Sequence, residues 1–162
     1  MPNQKGFSLI ELLIVVAIIL IIAAIAIPTL TRARVAADES SAVGSMRSIN
    51  SAEISYNAAY PAIGFSLSLT QLGSPSTGCT PSTANGCFID SVLTSGLKSG
   101  YTFAVAANGG TPTPQTNYSV VATPQFAGYT GARYFCSFED AVVRYSTVSI
   151  SNPCPASATP IQ

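Results

Sequence analysis

The 162-residue sequence has no histidine and no tryptophan, and only 7 basic and 7 acidic side chains. Without His, a nucleophile–base pair would need Lys or a carboxylate. A zinc site would need cysteines, but no C-x-x-C pair occurs. The balanced, sparse charge excludes a basic patch of the kind that binds nucleic acid, so no direct nucleic-acid partner is expected. The C-terminal part is short of long apolar runs and rich in Gly, Pro, Ser and Thr, which points to loops and short strands. No group of residues suggests catalysis or a bound cofactor, and the chain reads as a non-enzyme.

What is present begins at the N-terminus. From Phe7 to Ile27 only Ser8 and Glu11 are polar, and Leu12 to Ile27 is unbroken apolar sequence. As a helix this run is about 30 Å long, one bilayer core. Three readings compete. It resembles a secretory signal with Lys5 as the charged region and Ala24-Ile25-Ala26 as a cleavage site. It resembles an uncleaved anchor with Lys5 held in the cytoplasm. Or it is a signal cut ahead of the apolar run. Glu11 separates them, because a secretory signal gains nothing from an acid, an anchor is weakened by one, and an acid costs free energy in lipid unless paired.

The stretch Gly6-Phe7-Ser8-Leu9-Ile10-Glu11-Leu12-Leu13, followed by Pro28, resembles the prepilin cleavage and methylation motif of type IV pilins and the related pseudopilins. The resemblance covers about the first 30 residues closely. It implies that a prepilin peptidase/methyltransferase cuts between Gly6 and Phe7 and methylates Phe7. It implies that Glu11 faces the Phe7 ammonium of a neighbouring subunit during assembly, and that Pro28 bends the helix. An opposite-charge pair in lipid is far cheaper than either charge alone. The alternative role for Glu11 is a carboxylate snorkelling to the headgroups.

Past Pro28 the pattern becomes amphipathic. Val35, Ala42, Met46, Ile49, Ala52, Tyr56 and Tyr60 form one apolar stripe at helical spacing, and Pro61 ends it. Arg32, Arg34, Asp38, Glu39 and Arg47 occupy the other face. They read either as a solvated surface or as ion pairs between subunits. Leu67, Leu69 and Leu72 should tuck against the helix. Gly73 to Gly86 reads as a loop with Pro75 and Pro81, and Phe88 to Leu97 as a short helix with Ile89, Val92 and Leu93 inward.

The period then changes to two. Strands are expected at Tyr101–Val105, Asn117–Thr123, Arg133–Phe138 and Val142–Val148. Asn108-Gly109-Gly110 with Pro112-Thr113-Pro114 should form the first turn, and Glu139-Asp140 the last. Short connections imply an antiparallel meander whose apolar face covers the helix stripe. The expected fold is therefore α+β: a long N-terminal helix, hydrophobic then amphipathic, packed on a small antiparallel sheet, as in pilins. The expected divisions are a leader over 1–6, a membrane and filament-core helix over 7–28, an amphipathic helix over 29–60, a connecting region over 61–100, and a sheet with a pinned tail over 101–162.

Cys79, Cys87, Cys136 and Cys154 suggest two disulfides in an oxidising compartment, with three pairings possible. Cys79 and Cys87 bracket a loop tip closely enough for a local bridge. Cys136 in the third strand can reach Cys154, pinning a Pro-rich end much like the C-terminal disulfide loop of many type IV pilins. Calcium remains a minority reading: it occurs in major pseudopilins, and Asp90, Glu139 and Asp140 are the head acids here, without a D-x-D loop. Asn117-Tyr118-Ser119 matches a glycosylation sequon.

The resemblance implies a structural subunit of a pilus-like filament, a homo-oligomer built by an inner-membrane assembly platform. The precursor would sit in the bacterial inner membrane as a single-pass protein. The assembled filament would be extracellular or periplasm-spanning. A pseudopilin of a type II secretion system is the nearest alternative. A membrane-anchored periplasmic binding module that never polymerises is the alternative of another class, and it predicts an uncut N-terminus.

Overall fold

The computed structural model describes residues 6–74, 78–108, 114–155 and 157–161. Lys5, Pro75 and the expected turn residues Gly109, Gly110, Pro112 and Thr113 lie outside the described residues. The chain divides into two compact units, Met1–Arg34 and Val35–Gln162. One helix, α1 (Leu9–Ala59), carries residues of both.

In the first unit α1 starts just after Ser8, whose carbonyl accepts from the backbone N–H groups of Glu11 and Leu12. Pro28 lies inside the helix, which continues without a break. Proline has no N–H to give the carbonyl four residues back. The hydroxyls of Thr29 and Thr31 donate to the carbonyls of Ile25 and Ile27, at 2.9 and 3.0 Å. Such bonds let a hydroxyl sit on an apolar helix without an unsatisfied donor.

In the second unit the rest of α1 packs on a sheet whose strands lie in sequence order: β1 (Leu97–Lys98), β2 (Tyr101–Ala107), β3 (Tyr118–Pro124), β4 (Tyr134–Phe138), β5 (Arg144–Ser146) and β6 (Thr159–Pro160). Every pairing is antiparallel, with Phe103 opposite Ala122 and Val121 opposite Cys136. Two single turns, α2 (Leu69–Leu72) and α3 (Ser91–Thr94), lie between α1 and the sheet in sequence. This is the α+β, pilin-like architecture expected from the two periodicities.

The helix stripe supplies the core. Ala42, Met46, Ile49, Ala52 and Tyr56 are buried with Leu69, Leu72, Tyr101, Phe103, Tyr118, Val120 and Phe135. Side chains alternate across a strand, so Val121 and Cys136 point to the opposite face. There they join Ile150, Cys154 and Ala158 in a second, smaller apolar cluster. The C-terminal segment thus covers the outer face of the sheet, and all of β3 except Thr123 is buried.

Several local expectations change. The helix expected over Phe88–Leu97 shrinks to α3. Its N-cap is Asp90, whose carboxylate accepts from the Leu93 N–H at 2.7 Å. Gly96, at φ +77°, then reverses the chain into β1. Leu93 is inward, but Val92 is exposed. Leu67 also stays at the surface while Leu69 and Leu72 are buried. The fourth expected strand contracts from Val142–Val148 to Arg144–Ser146. Asp140 accepts from the Val142 N–H at 3.0 Å and so extends the turn into what was expected to be strand.

Candidate functional site: the N-terminal segment and its attachment to the head

Gly6, Phe7 and Ser8 precede the first helical residue and are exposed. A Cβ placed on Gly6 would meet nothing within 4 Å. Among the described residues nothing requires glycine there. Glu11 is exposed in the first turn of α1 and has no ion-pair partner among the described residues. A carboxylate at a helix N-terminus is favoured by the helix dipole, but that effect is a fraction of the cost of holding it in lipid.

Around Glu11 the helix presents apolar side chains to the outside. Leu9, Ile10, Leu12, Leu20, Ile25 and Leu30 are among the exposed large hydrophobics. The most apolar 18-residue window of α1 has mean hydropathy 3.3, and none of it is buried. A soluble monomer rarely exposes a contiguous apolar area of this size. The helix is long and apolar enough to cross a membrane.

The charged face of α1 divides into two classes. Glu39 is buried and engaged. One of its oxygens accepts from the backbone N–H groups of Ala132 and Arg133, at 2.8 and 3.1 Å. The other accepts from the Arg133 side chain at 2.7 Å. The reading of Glu39 as a solvated acid or a partner for a neighbouring subunit is therefore corrected: its bonds are spent within the head. Arg32, Arg34 and Arg47 are exposed, and with the half-buried Asp38 they form no ion pair among the described residues.

The cysteines are joined as Cys79–Cys87 and Cys136–Cys154. The first bridge closes an exposed loop. The second lies in the outer cluster, with both of its cysteines buried. Next to it the Cys154 N–H donates to the Ser119 hydroxyl at 2.8 Å.

Of the acids weighed for calcium, Asp90 caps α3 and pairs with Lys98 at 3.1 Å, while Asp140 holds Arg144. The Leu93 N–H lowers the Asp90 pKa most, and the Arg144 hydrogen bond does so for Asp140. No group of three metal-ligating side chains gathers among the described residues. In the sequon at Asn117, Tyr118 and Ser119 are fully buried and Asn117 itself is half-buried.

Sequence reasoning missed the buried polar residues Asn50 and Glu53 on the apolar stripe. Asn50 donates to the Ser137 hydroxyl and the Ala141 carbonyl and accepts from the Tyr118 hydroxyl. Glu53 is fully buried, and burial pushes its pKa from 4.5 up to about 7. Its position between Ile49, Ala52 and Tyr56 is the signal that could have exposed it. A charge inside an apolar stripe needs a specific partner.

Comparison with protein families shows that residues 1–27 match the prokaryotic N-terminal methylation motif, the prepilin motif of type IV pilins and pseudopilins. No curated protein and no solved structure matches the chain. The motif marks a prepilin-type substrate and points to a structural subunit rather than an enzyme. With the apolar helix, it suits a membrane-anchored precursor.

Proposed function

We propose that the chain is the structural subunit of a type IV pilus-like filament, cut by prepilin peptidase between Gly6 and Phe7 and polymerised through residues 7–28. The observation that carries this reading is the coincidence of the methylation motif with an apolar helix that the fold leaves wholly uncovered. Membrane lipid covers that surface before assembly, and the same segments of neighbouring subunits cover it afterwards. Phe7 becomes the methylated N-terminus. Glu11 then pairs with the ammonium of an adjacent Phe7, which removes two uncompensated charges at once. Pro28 bends the helix where it leaves the filament core. Residues 29–60 form the helix of the head, 61–100 its connection, and 101–162 the sheet and pinned tail.

The tail held by Cys136–Cys154 supports a surface pilus over a secretion pseudopilus. The test is the mass of the chain purified from membranes and from sheared filaments. The expected mass begins at Phe7 and carries one added methyl group, and electron microscopy should show fibres made of it. A chain that keeps Met1–Gly6 in both fractions would support the anchored, non-polymerising module instead.

A further inference from the structure

Glu53 lies on the core side of α1 and is fully buried. Among the described residues its hydrogen-bond partners are the two donors of Ser66. The Ser66 N–H gives to Oε2 at 2.8 Å and the Ser66 hydroxyl to Oε1 at 2.6 Å. The same hydroxyl lies 3.3 Å from the Ser68 carbonyl. Ser68 is in turn the N-cap of α2, accepting from the Gln71 N–H. Leu69 and Leu72 of α2 are part of the main core.

We propose that Glu53 and the segment Gly64–Gly73, which Ser66 holds against it, form a proton-responsive clamp on the head helix: burial favours the neutral carboxyl, so the segment closes tightly when the proton is on and loosens when it is off, the two Ser66 hydrogen bonds offsetting only part of the cost of the ionised form. The geometry satisfies both states. With Glu53 ionised, Ser66 donates both of its hydrogens to the carboxylate. When Glu53 takes a proton from water, its O–H donates to the Ser66 hydroxyl oxygen. The Ser66 hydrogen then turns to the Ser68 carbonyl, while the Ser66 N–H bond stays in place.

Among the described residues no cation pairs with the ionised form. On α1 the titratable groups near Glu53 are Tyr56 and, acting on Tyr56, Tyr60. From β3 it faces Tyr118, which also feels Glu139 and Asp140 in the turn between β4 and β5. The segment 61–73 has no charged side chain. The nearest cation to that turn, Arg144, is committed to Asp140. Two hydrogen bonds from a serine do not replace the hydration of a carboxylate in such surroundings.

The sign follows from linkage. The unfolded chain loses the Glu53 proton near pH 4.5 and the folded head near pH 7. Below the first value both forms hold the proton and the contribution of Glu53 to stability is greatest. Between the two values only the folded form holds it, so stability falls as pH rises. Above the second the loss is complete, a decrease of about 300-fold in the folding constant.

The test uses the full chain in detergent micelles with its glutamate carboxyl carbons labelled with carbon-13. Loss of one resonance in Glu53→Gln assigns Glu53. The expected midpoint of that resonance in the parent lies near pH 7, and Ser66→Ala should raise it further. The urea midpoint of the parent should fall between pH 5 and pH 8, and that of Glu53→Gln should stay level. At pH 8 the amides of Phe65 to Leu67 should exchange faster in the parent than in Glu53→Gln. A Glu53 midpoint below pH 5 overturns the proposal. So does a urea midpoint equally dependent on pH in both proteins. If Glu53→Gln does not fold, amide exchange in the parent decides: no acceleration at Phe65 to Leu67 between pH 5 and pH 8, beyond the rise that base catalysis gives every amide, overturns the clamp.

Discussion

Glu39 in the helix and Arg133 before β4 meet in a salt bridge of 2.6 Å, the carboxylate nearly buried and the guanidinium half exposed. The same carboxylate also terminates two backbone N–H groups of the β3–β4 connection. The two residues are 94 positions apart in sequence, so this contact ties the sheet to the helix. Arg133 also lies over the rings of Phe135 and Tyr145, at 5.7 and 5.5 Å.

Removing the two sides should have unequal effects. Glu39→Ala leaves the Ala132 and Arg133 N–H groups without their acceptor and should cost about 2–3 kcal/mol of head stability. Arg133→Ala keeps those bonds and removes a half-exposed cation, so about 1 kcal/mol is expected. Urea unfolding of both variants measures the difference, and equal losses would mean that the ion pair rather than the backbone bonds holds the connection.

Processing should depend on Gly6 for reasons outside the fold. A Cβ at Gly6 meets no described neighbour within 4 Å, so Gly6→Leu should leave the rest of the chain unaffected. Uncut precursor should therefore accumulate, folded, in the membrane. A blot that shows normal amounts of chain lacking residues 1–6 would remove the cleavage assignment.

Glu11 should matter for assembly and not for insertion. A charge near the centre of a span is unfavourable by about 2.5–3.5 kcal/mol, and less toward the ends. Glu11→Leu should accordingly insert and be cut at least as well as the parent. Its filament core would contain an unpaired Phe7 ammonium, at a cost of about 3–5 kcal/mol for each broken pair. Few or no fibres are expected, and nearly as few from Glu11→Gln. Normal fibres from Glu11→Leu under the electron microscope would leave the carboxylate as a bystander.

The two disulfides should differ in access and in effect. Cys79 is exposed and Cys87 half-buried, whereas Cys136 and Cys154 lie inside the outer cluster. Mild reductant should open Cys79–Cys87 first, which peptide mapping after timed alkylation can follow. Cys154→Ser should lower head stability by about 3 kcal/mol, the value for closing a loop of this length in the chain-entropy model. A thermal melt unchanged by Cys154→Ser would show that the cluster around Ile150 and Ala158 holds the tail without the bridge.

The helix stripe was legible because its partners repeat at a fixed spacing. Met46, Ile49, Ala52 and Tyr56 follow one period, and the sheet needs only to be apolar to meet them. Tyr101 and Phe103 were legible for the same reason at period two. The short elements were not. Phe88–Leu97 has helical spacing, yet the Asp90 cap and Gly96 limit it to one turn. The end of the meander was misjudged because Asp140 captures the Val142 N–H and Arg144, contacts that depend on a turn already being formed.

The chemistry of residues 1–28 could be read from the sequence alone, since every feature of it is local: a glycine, a phenylalanine, an acid four residues later and an apolar helix. The partners proposed for it are lipid, a peptidase and other copies, and the fold of one chain adds little. Tertiary structure decided everything that depends on distant partners. Glu39 changed from a surface acid to the attachment point of the sheet, and Glu53 became a carboxyl shut inside the core. The C-terminal segment, expected only to be pinned, proved to cover a second face of β3. In each case the polar or apolar character was visible in advance, but the partner lay between 13 and 94 residues away, and only closing the chain upon itself determined which group it met.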